Sequence, residues 1–239
     1  MIFLNNIYTF KRVEKKYFIT PELKDELFGL VGDKIHLDKH GVSTISSVYL
    51  DTDDYLLIRN SIDAVSYKEK LRIRTYKTPK DNDEVFFEIK KKYKGIVYKR
   101  RISLPLYKVL NYIRTSEKPE NSQIMSEIDY AMHFYNFPEP KMLVAYEREA
   151  YQAMELPGFR ITFDTNARYR DYNLDLKLGT DGIKIFDDNT IIMEVKTNGG
   201  MPLWLASAFS ELQIIPTPCS KYKYAYYDSQ NKKRKVEKL

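Results

Sequence analysis

The sequence predicts an α+β fold: an eight-stranded β-barrel with a charged interior, jacketed by helices. Three observations lead there. Segment after segment alternates long charged side chains with apolar ones at period two, as a strand with two unlike faces does. The charged positions pair at i and i+2, as in Arg12/Glu14/Lys16, Arg72/Arg74, Glu88/Lys90, Lys99/Arg101 and Glu194/Lys196. Amphipathic helical patterns separate these segments and are available to cover the apolar faces. About eight strands suffice to close a barrel whose interior holds side chains or one small ligand.

The elements follow in order. Residues 10–18 form a first strand with Arg12, Glu14 and Lys16 on one face. Thr20-Pro21-Glu22 starts a helix, with Thr as N-cap and Pro at the first helical position, and Leu23, Leu27, Leu30 and Val31 have helical spacing. A second strand spans 44–51, and 51–54 caps a short helix carrying Tyr55, Leu56 and Ile58. Strands at 67–76, 84–92 and 96–104, joined by a polar loop and by Lys94-Gly95, form an antiparallel meander. Residues 105–135 are mostly helical. Strands follow at 141–151 and 159–164, then an irregular polar excursion over 166–188, a strand at 190–197, a helix at 202–215 and a loop at 217–222. No fixed-period repeat or Gly/Ser linker appears. One domain is therefore expected over 1–228, followed by a basic tail, 229–239, expected to be disordered.

Composition narrows the function classes. A chain of 239 residues that is 43% hydrophobic and 30% charged is globular rather than disordered and long enough for a substantial core. Twenty Tyr and 12 Phe favour strands. A net charge of +6 suits an anionic partner, although Lys232-Lys233-Arg234-Lys235 supplies a good part of it. The one cysteine, Cys219, excludes an intramolecular disulfide and a Cys-rich metal site. The N-terminus lacks the basic and apolar regions of a signal peptide, and no apolar run approaches the ~18 residues that span a bilayer. A soluble, cytoplasmic protein is expected.

The inward faces pool Arg12, Lys16, Arg72, Arg74, Lys90, Lys99, Arg101, Arg160 and Lys196 against Glu14, Glu88 and Glu194, with Asp164 a further candidate. Cations so crowded repel unless an anion neutralises them. An elongated polyanion is the simplest such anion, because Arg forks match phosphate oxygens and Lys supplies point charges. A carboxylate such as Glu194 suits Mg²⁺ or Mn²⁺, which bind through one or two carboxylates plus substrate phosphates. For any single strand, a solvated face with cross-strand ion pairs explains the pattern equally well. Recurrence over six strands favours a shared interior. Glu14 and Glu88 read equally well as structural partners that orient Arg or Lys. Lys91, Lys92 and Lys94 read as surface charges near the mouth of the barrel. His36, His40 and His133 lack metal-ligand spacing. Trp204 and Phe209 read as core, and Cys219 as a small buried thiol.

Several motifs carry a family resemblance. Arg12-x-Glu14-x-Lys16-Tyr17, Ser47-x-Tyr49-Leu50-Asp51, Leu71-Arg72-Ile73-Arg74-x-Tyr76, Phe87-Glu88-Ile89-Lys90 and Lys99-Arg100-Arg101-x-Ser103-Leu104 come first. Tyr146-x-Arg148, Arg160-Ile161-Thr162-x-Asp164-Thr165, Met193-Glu194-Val195-Lys196 and Ser220-Lys221-Tyr222 follow. In this order they resemble the VTC domain, the polyphosphate polymerase domain of the vacuolar transporter chaperone complex, within the CYTH / triphosphate tunnel metalloenzyme superfamily. The resemblance runs from about residue 8 to 227.

It implies a tunnel-shaped antiparallel barrel that binds triphosphate or polyphosphate and moves the terminal phosphate of ATP onto a growing polyphosphate chain, with Mn²⁺ or Mg²⁺. It implies catalytic roles for Lys16, Arg72, Arg74, Lys90 and Arg160, and substrate contacts from Arg12, Lys99, Arg101, Arg148 and Lys196. Ser220 and Lys221 would close one tunnel end, and Glu194 with Glu14 would hold the metal. The expected partners are ATP and inorganic polyphosphate or triphosphate, with any membrane partner a separate chain and the protein of bacterial type. Nucleic acid is not expected, since the aromatics mostly alternate onto the opposite face. The hydrolytic tunnel enzymes resemble Glu-x-Glu-x-Lys on the first strand and often have a paired-Glu site on the last. Here Arg12 replaces the first Glu, and the last strand reads Glu194-x-Lys196. Fewer carboxylates favour holding phosphate over hydrolysing it. A tunnel triphosphatase and a non-catalytic polyphosphate sensor are the alternatives.

Overall fold

Period-two alternation becomes strand throughout. A computed structural model describes residues 13–63, 66–94 and 96–236. In chain order the first half comprises β1 (Val13–Ile19), α1 (Pro21–Val31), β2 (Ile35–Asp51), α2 (Leu56–Ile62), β3 (Tyr67–Thr75), β4 (Glu84–Tyr93) and β5 (Ile96–Pro105). Then come α3 (Leu106–Thr115), α4 (Gln123–Phe134), β6 (Glu139–Ala153), β7 (Arg160–Arg170), β8 (Ile183–Lys184), β9 (Ile191–Thr197), α5 (Leu203–Glu211) and α6 (Lys221–Val236). The class is α+β, with a large antiparallel sheet and six helices among the described residues.

The chain divides into two compact units. The first comprises described residues within 1–42, 148–165 and 188–219. Here β1 pairs antiparallel with β9, and β9 with β7. Thr20 caps α1 as its sequence predicts, Oγ1 accepting from the Leu23 N–H at 3.2 Å. One sheet face presents Tyr17, Ile19, Ile161, Phe163, Met193 and Val195. It shares a buried core with Leu27 and Val31 of α1 and with Leu205, Ala208 and Phe209 of α5. Each such large side chain stabilises the fold by about 1.5–3 kcal/mol.

The second unit comprises described residues within 43–147, 166–187 and 220–239. The β3–β4–β5 meander pairs as its turns predict. Leu71, Ile73, Val85, Phe87 and Ile89 form its apolar face. They share a core with Leu106, Val109 and Tyr112 of α3 and with Met125, Ile128 and Met132 of α4. Another cluster gathers Ile45, Tyr49, Ile58, Val144, Tyr146, Tyr169, Tyr222 and Ala225. Asp51, fully buried, accepts from the N–H groups of Leu57 (2.8 Å) and Ile58 (3.0 Å) at the start of α2 and from the Tyr222 hydroxyl at 2.9 Å.

The structure departs from the sequence-based expectation in four places. β2 starts at Ile35 rather than 44, because Ile35 and Asp38 turn inward while the residues between them are exposed, which hides the alternation. β7 continues to Arg170 and pairs with β8 inside the stretch expected to be irregular. Arg170 holds that stretch by donating to the carbonyls of Asn173, Asp175, Gly179 and Asp181. The segment from Lys221 to Val236 is helical, including residues 229–236 expected as a disordered tail. Tyr222, Ala225 and Ser229 are buried at helical spacing, which gives α6 an inward stripe that its Lys and Arg residues mask. Finally, the strand path β1-β9-β7-β6-β2-β3-β4-β5 has two ends, and no ladder joins β1 to β5 among the described residues. Closure of the expected barrel is therefore not confirmed among the described residues.

Replacing Asp51 by Ala removes the α2 cap and strips a buried hydroxyl of its acceptor. Chemical denaturation should show a loss of about 2–4 kcal/mol, against under ~0.5 kcal/mol for the exposed control Asp53→Ala.

Candidate functional site

Register fixes which side chains share a face. Across the second unit, Tyr49 lies opposite Arg72, Arg72 opposite Glu88, and Glu88 opposite Arg101. The neighbouring rows align Ser47, Arg74, Phe86 and Ser103 on one side and Lys70, Lys90 and Lys99 on the other. The predicted residues Arg72, Arg74, Lys90, Lys99 and Arg101 therefore lie on one face.

Glu88 sits at its centre. Its Oε2 accepts from Arg72 Nε at 2.6 Å, and Lys99 Nζ lies 2.6 Å from its Oε1. Burial pushes the Glu88 carboxyl up, but Arg72, Arg74 and Lys99 more than offset this and bring it down to about 2. Lys99 is itself lowered to about 8, chiefly by burial; Glu88 opposes that, while Arg72 and Arg74 repel the ammonium. The two partners move in the same direction for different reasons: nearby cations lower Glu88, and burial lowers Lys99.

Arg74 is the most informative residue. It is only 8% exposed, yet Nε donates to Ser47 Oγ at 3.1 Å and Nη2 to the Tyr146 hydroxyl at 3.3 Å. No carboxylate pairs with it among the described residues. Its two hydrogen-bond partners are neutral hydroxyls, and its charge acts on the Glu88 carboxylate of the same face.

Three contributors had been given no site role from the sequence. Tyr49 accepts from Arg72 Nη1 at 3.3 Å and stacks on Tyr222 at 4.1 Å. Burial pushes its phenol up, but the charges of Arg72, Arg74 and Lys70 overcome that and bring it down to about 7. Tyr146 is the second hydroxyl on Arg74 and lies beneath Lys221, whose Nζ is 4.3 Å from the ring centre. Lys70 donates to Ser220 Oγ at 3.2 Å. Its sequence signal was present, since it precedes Arg72 by two positions and so shares its face.

The first unit gathers the remaining predicted residues. Lys16 lies opposite Glu194, and Glu14 opposite Lys196, which is opposite Arg160. Lys16 Nζ donates to the Cys219 carbonyl at 3.1 Å. Burial opposes its charge, but Glu194 and Glu14 hold its pKa above the usual lysine value. Burial likewise opposes the Glu194 carboxylate; a hydrogen bond with Glu14 and the charges of Lys196, Lys16 and Arg148 hold it well below the usual range. Arg148, expected as a phosphate contact, instead forks onto Asp164 at 2.5 and 2.7 Å, with Glu194 3.7 Å away. Arg160 pairs with Asp38 at 2.7 Å, and Asp38 lies in the part of β2 that the sequence concealed. Arg12 lies outside the described residues.

Glu14 and Glu194 fit a divalent ion in one way. Their carboxyl groups are within hydrogen-bonding reach of each other, close enough for both to hold one ion. Among the described residues, no group of three or more His, Cys, Asp or Glu is placed to hold a metal. The donor set therefore suits an ion completed by phosphate oxygens and water rather than one enclosed by protein.

Comparison with known proteins gives a family and a fold. The model of the VTC domain matches residues 11–228. A structure from Bacillus halodurans, described as a candidate adenylate cyclase, superposes with a TM-score of 0.53 at 13% identity, covering 87% of this chain and 93% of that one. The PH1819 protein of Pyrococcus horikoshii gives a TM-score of 0.47 at 13% identity over 92% of this chain and 98% of that one. At such identity the Bacillus structure shows a shared fold alone. No curated protein matches the chain.

The acidity of Tyr49 is directly measurable. A near-ultraviolet tyrosinate transition centred near pH 7 should be present in the wild type and missing in Tyr49→Phe. Because the folded pKa is depressed, the stabilisation is complete above the unfolded value of about 10 and lost as pH falls through about 7. The stability of wild type relative to Tyr49→Phe should therefore rise between those two pH values.

Proposed function

The chain belongs to the VTC domain family, and from that premise we propose that it is an ATP-dependent polyphosphate polymerase. The observation that carries this reading is Arg74: a buried cation with two hydroxyl partners and, among the described residues, no carboxylate in an ion pair with it, on a face shared with Arg72, Lys90, Lys99 and Arg101. That setting favours a polyphosphate chain over a compact, singly charged ligand.

In the proposed reaction a terminal oxygen of polyphosphate attacks the γ-phosphorus of ATP. One P–O bond forms, the bond from γ-phosphorus to the bridging oxygen breaks, and ADP leaves with that oxygen. Arg72 and Arg74 grip phosphate oxygens, and Tyr49 and Tyr146 fix the two guanidinium groups. Lys90, Lys99 and Arg101 add charge along the same face. In the first unit Lys16 and Lys196 flank the Glu14–Glu194 pair, which would hold Mn²⁺ or Mg²⁺; Arg148 orients by its fork on Asp164, and Arg160 by Asp38. The ion, when bound, supplies neutralisation of charge on the transferring phosphoryl group. No covalent intermediate with the enzyme is required.

Transfer is favoured over hydrolysis because the carboxylates are already committed. Asp164 is taken by Arg148, Glu88 by Arg72 and Lys99, and Asp38 by Arg160. Few remain to activate a water. No helix among the described residues is long and apolar enough to cross a membrane. We place the reaction in the cytoplasm, with nucleic acid not a partner and any membrane partner a separate chain.

Purified protein incubated with ATP and Mn²⁺ or Mg²⁺, with and without a short polyphosphate primer, should yield ADP and long chains with little free phosphate. Glu194→Ala should abolish both products. Free phosphate without chains would replace polymerase by triphosphatase, and tight triphosphate binding without turnover would leave a sensor. Arg74→Ala should weaken triphosphate binding by ~1.5–3 kcal/mol in calorimetry, and unchanged affinity would remove Arg74 from the site.

A further inference from the structure

The cation-bearing face of β3 and β4 does not end at the Lys70 row. Lys68 lies directly opposite Lys92, Lys70 opposite Lys90, and Lys90 opposite Lys99. Like charges placed directly across a ladder are destabilising, and here three such pairs occur in two adjoining rows. The opposite face handles its charge differently: Lys91 lies 3.4 Å from buried Glu69.

At the Lys68 row no carboxylate pairs with the lysines among the described residues. Lys68 Nζ donates to the Ser61 carbonyl at 3.4 Å, and Lys223 of α6 packs over the Tyr227 ring. Burial lowers the Lys68 pKa first, and the charges of Lys92 and Lys223 lower it further. Ammonium groups from β3, β4 and α6 thus act on one another at this end of the strands. From Arg74 to Lys68 the strand advances six residues, a rise of about 20 Å and longer than a triphosphate.

We propose that Lys68, Lys92 and Lys223 form an outer anion subsite, continuous along β3 with the Arg72/Arg74 face, that engages only linear polyphosphates longer than triphosphate. This rests on the polyanion reading of Arg72 and Arg74. The subsite makes affinity depend on chain length, because a short chain gripped at Arg74 ends before it reaches Lys68. A long chain brings negative charge to Lys68 and Lys92, which form no ion pair with a carboxylate among the described residues.

Calorimetric titration of the intact protein with tripolyphosphate and with a long-chain polyphosphate, each at equal phosphate-end concentration, tests this. In wild type the long chain should bind more tightly. In the double variant Lys68→Gln/Lys92→Gln the ratio of long-chain to tripolyphosphate affinity should fall about tenfold, and Lys68→Arg/Lys92→Arg should restore it. Equal weakening for both ligands, or an unchanged ratio, would overturn the subsite while leaving the Arg72/Arg74 reading intact. Failure of wild type to bind either ligand would overturn both.

Discussion

A guanidinium removed from water and hydrogen-bonded to two neutral hydroxyls is the constraint around which the second unit is built. Leaving a charge buried and uncompensated costs several kcal/mol, far more than two hydroxyl contacts return. Arg74 carries part of that cost, eased by the Glu88 carboxylate on the same face, and the strands that carry it are held by something else. They are held from their other face, where Ile73, Phe87 and Ile89 meet the helices. The apolar core lies on the helix side of the sheet, and the opposite face is left to electrostatics. Arg72 and Glu88 stabilise each other there, but the surroundings of Tyr49 stay positive, since Arg72, Arg74 and Lys70 bring its phenol down.

The first unit solves a related problem with the opposite sign. Glu14, Glu194 and Asp164 are brought close enough to repel, and Lys16, Lys196 and Arg148 are interleaved with them by register. Facing strands place each carboxylate across from or diagonal to a cation. The result is a neutralised cluster whose two glutamates still share a hydrogen bond.

Local chemistry was legible in the sequence where period and punctuation agreed. The β3–β4–β5 boundaries, the Thr20-Pro21 helix start and the capping role of Asp51 all follow from residues within a few positions of one another. What the sequence hid depends on distant partners. Residues 35–43 lack clean alternation because Asp38 turns inward to meet Arg160, more than a hundred residues away. The polar sequence of α6 disguises a buried stripe that exists only because Tyr49 and Asp51 receive Tyr222. Closure was inferred from strand count and charge pooling, and neither reports which edges pair. The cation set was visible by parity. Its partition into clamped residues, such as Arg148, and those without a counter-ion, such as Arg74, required the fold.

The pairing of β1 with β9 also bears on how the protein is made. Val13 finds Thr197 only after roughly 180 further residues have been added. During synthesis β1 emerges first, and its ladder and its core partners in α5 emerge among the last elements. Until then its Tyr17 and Ile19, buried in the finished protein, lack the surface that covers them. The first strand is thus an early-made segment with a late-made partner, and its exposure on the ribosome is set by translation time rather than by its own folding rate.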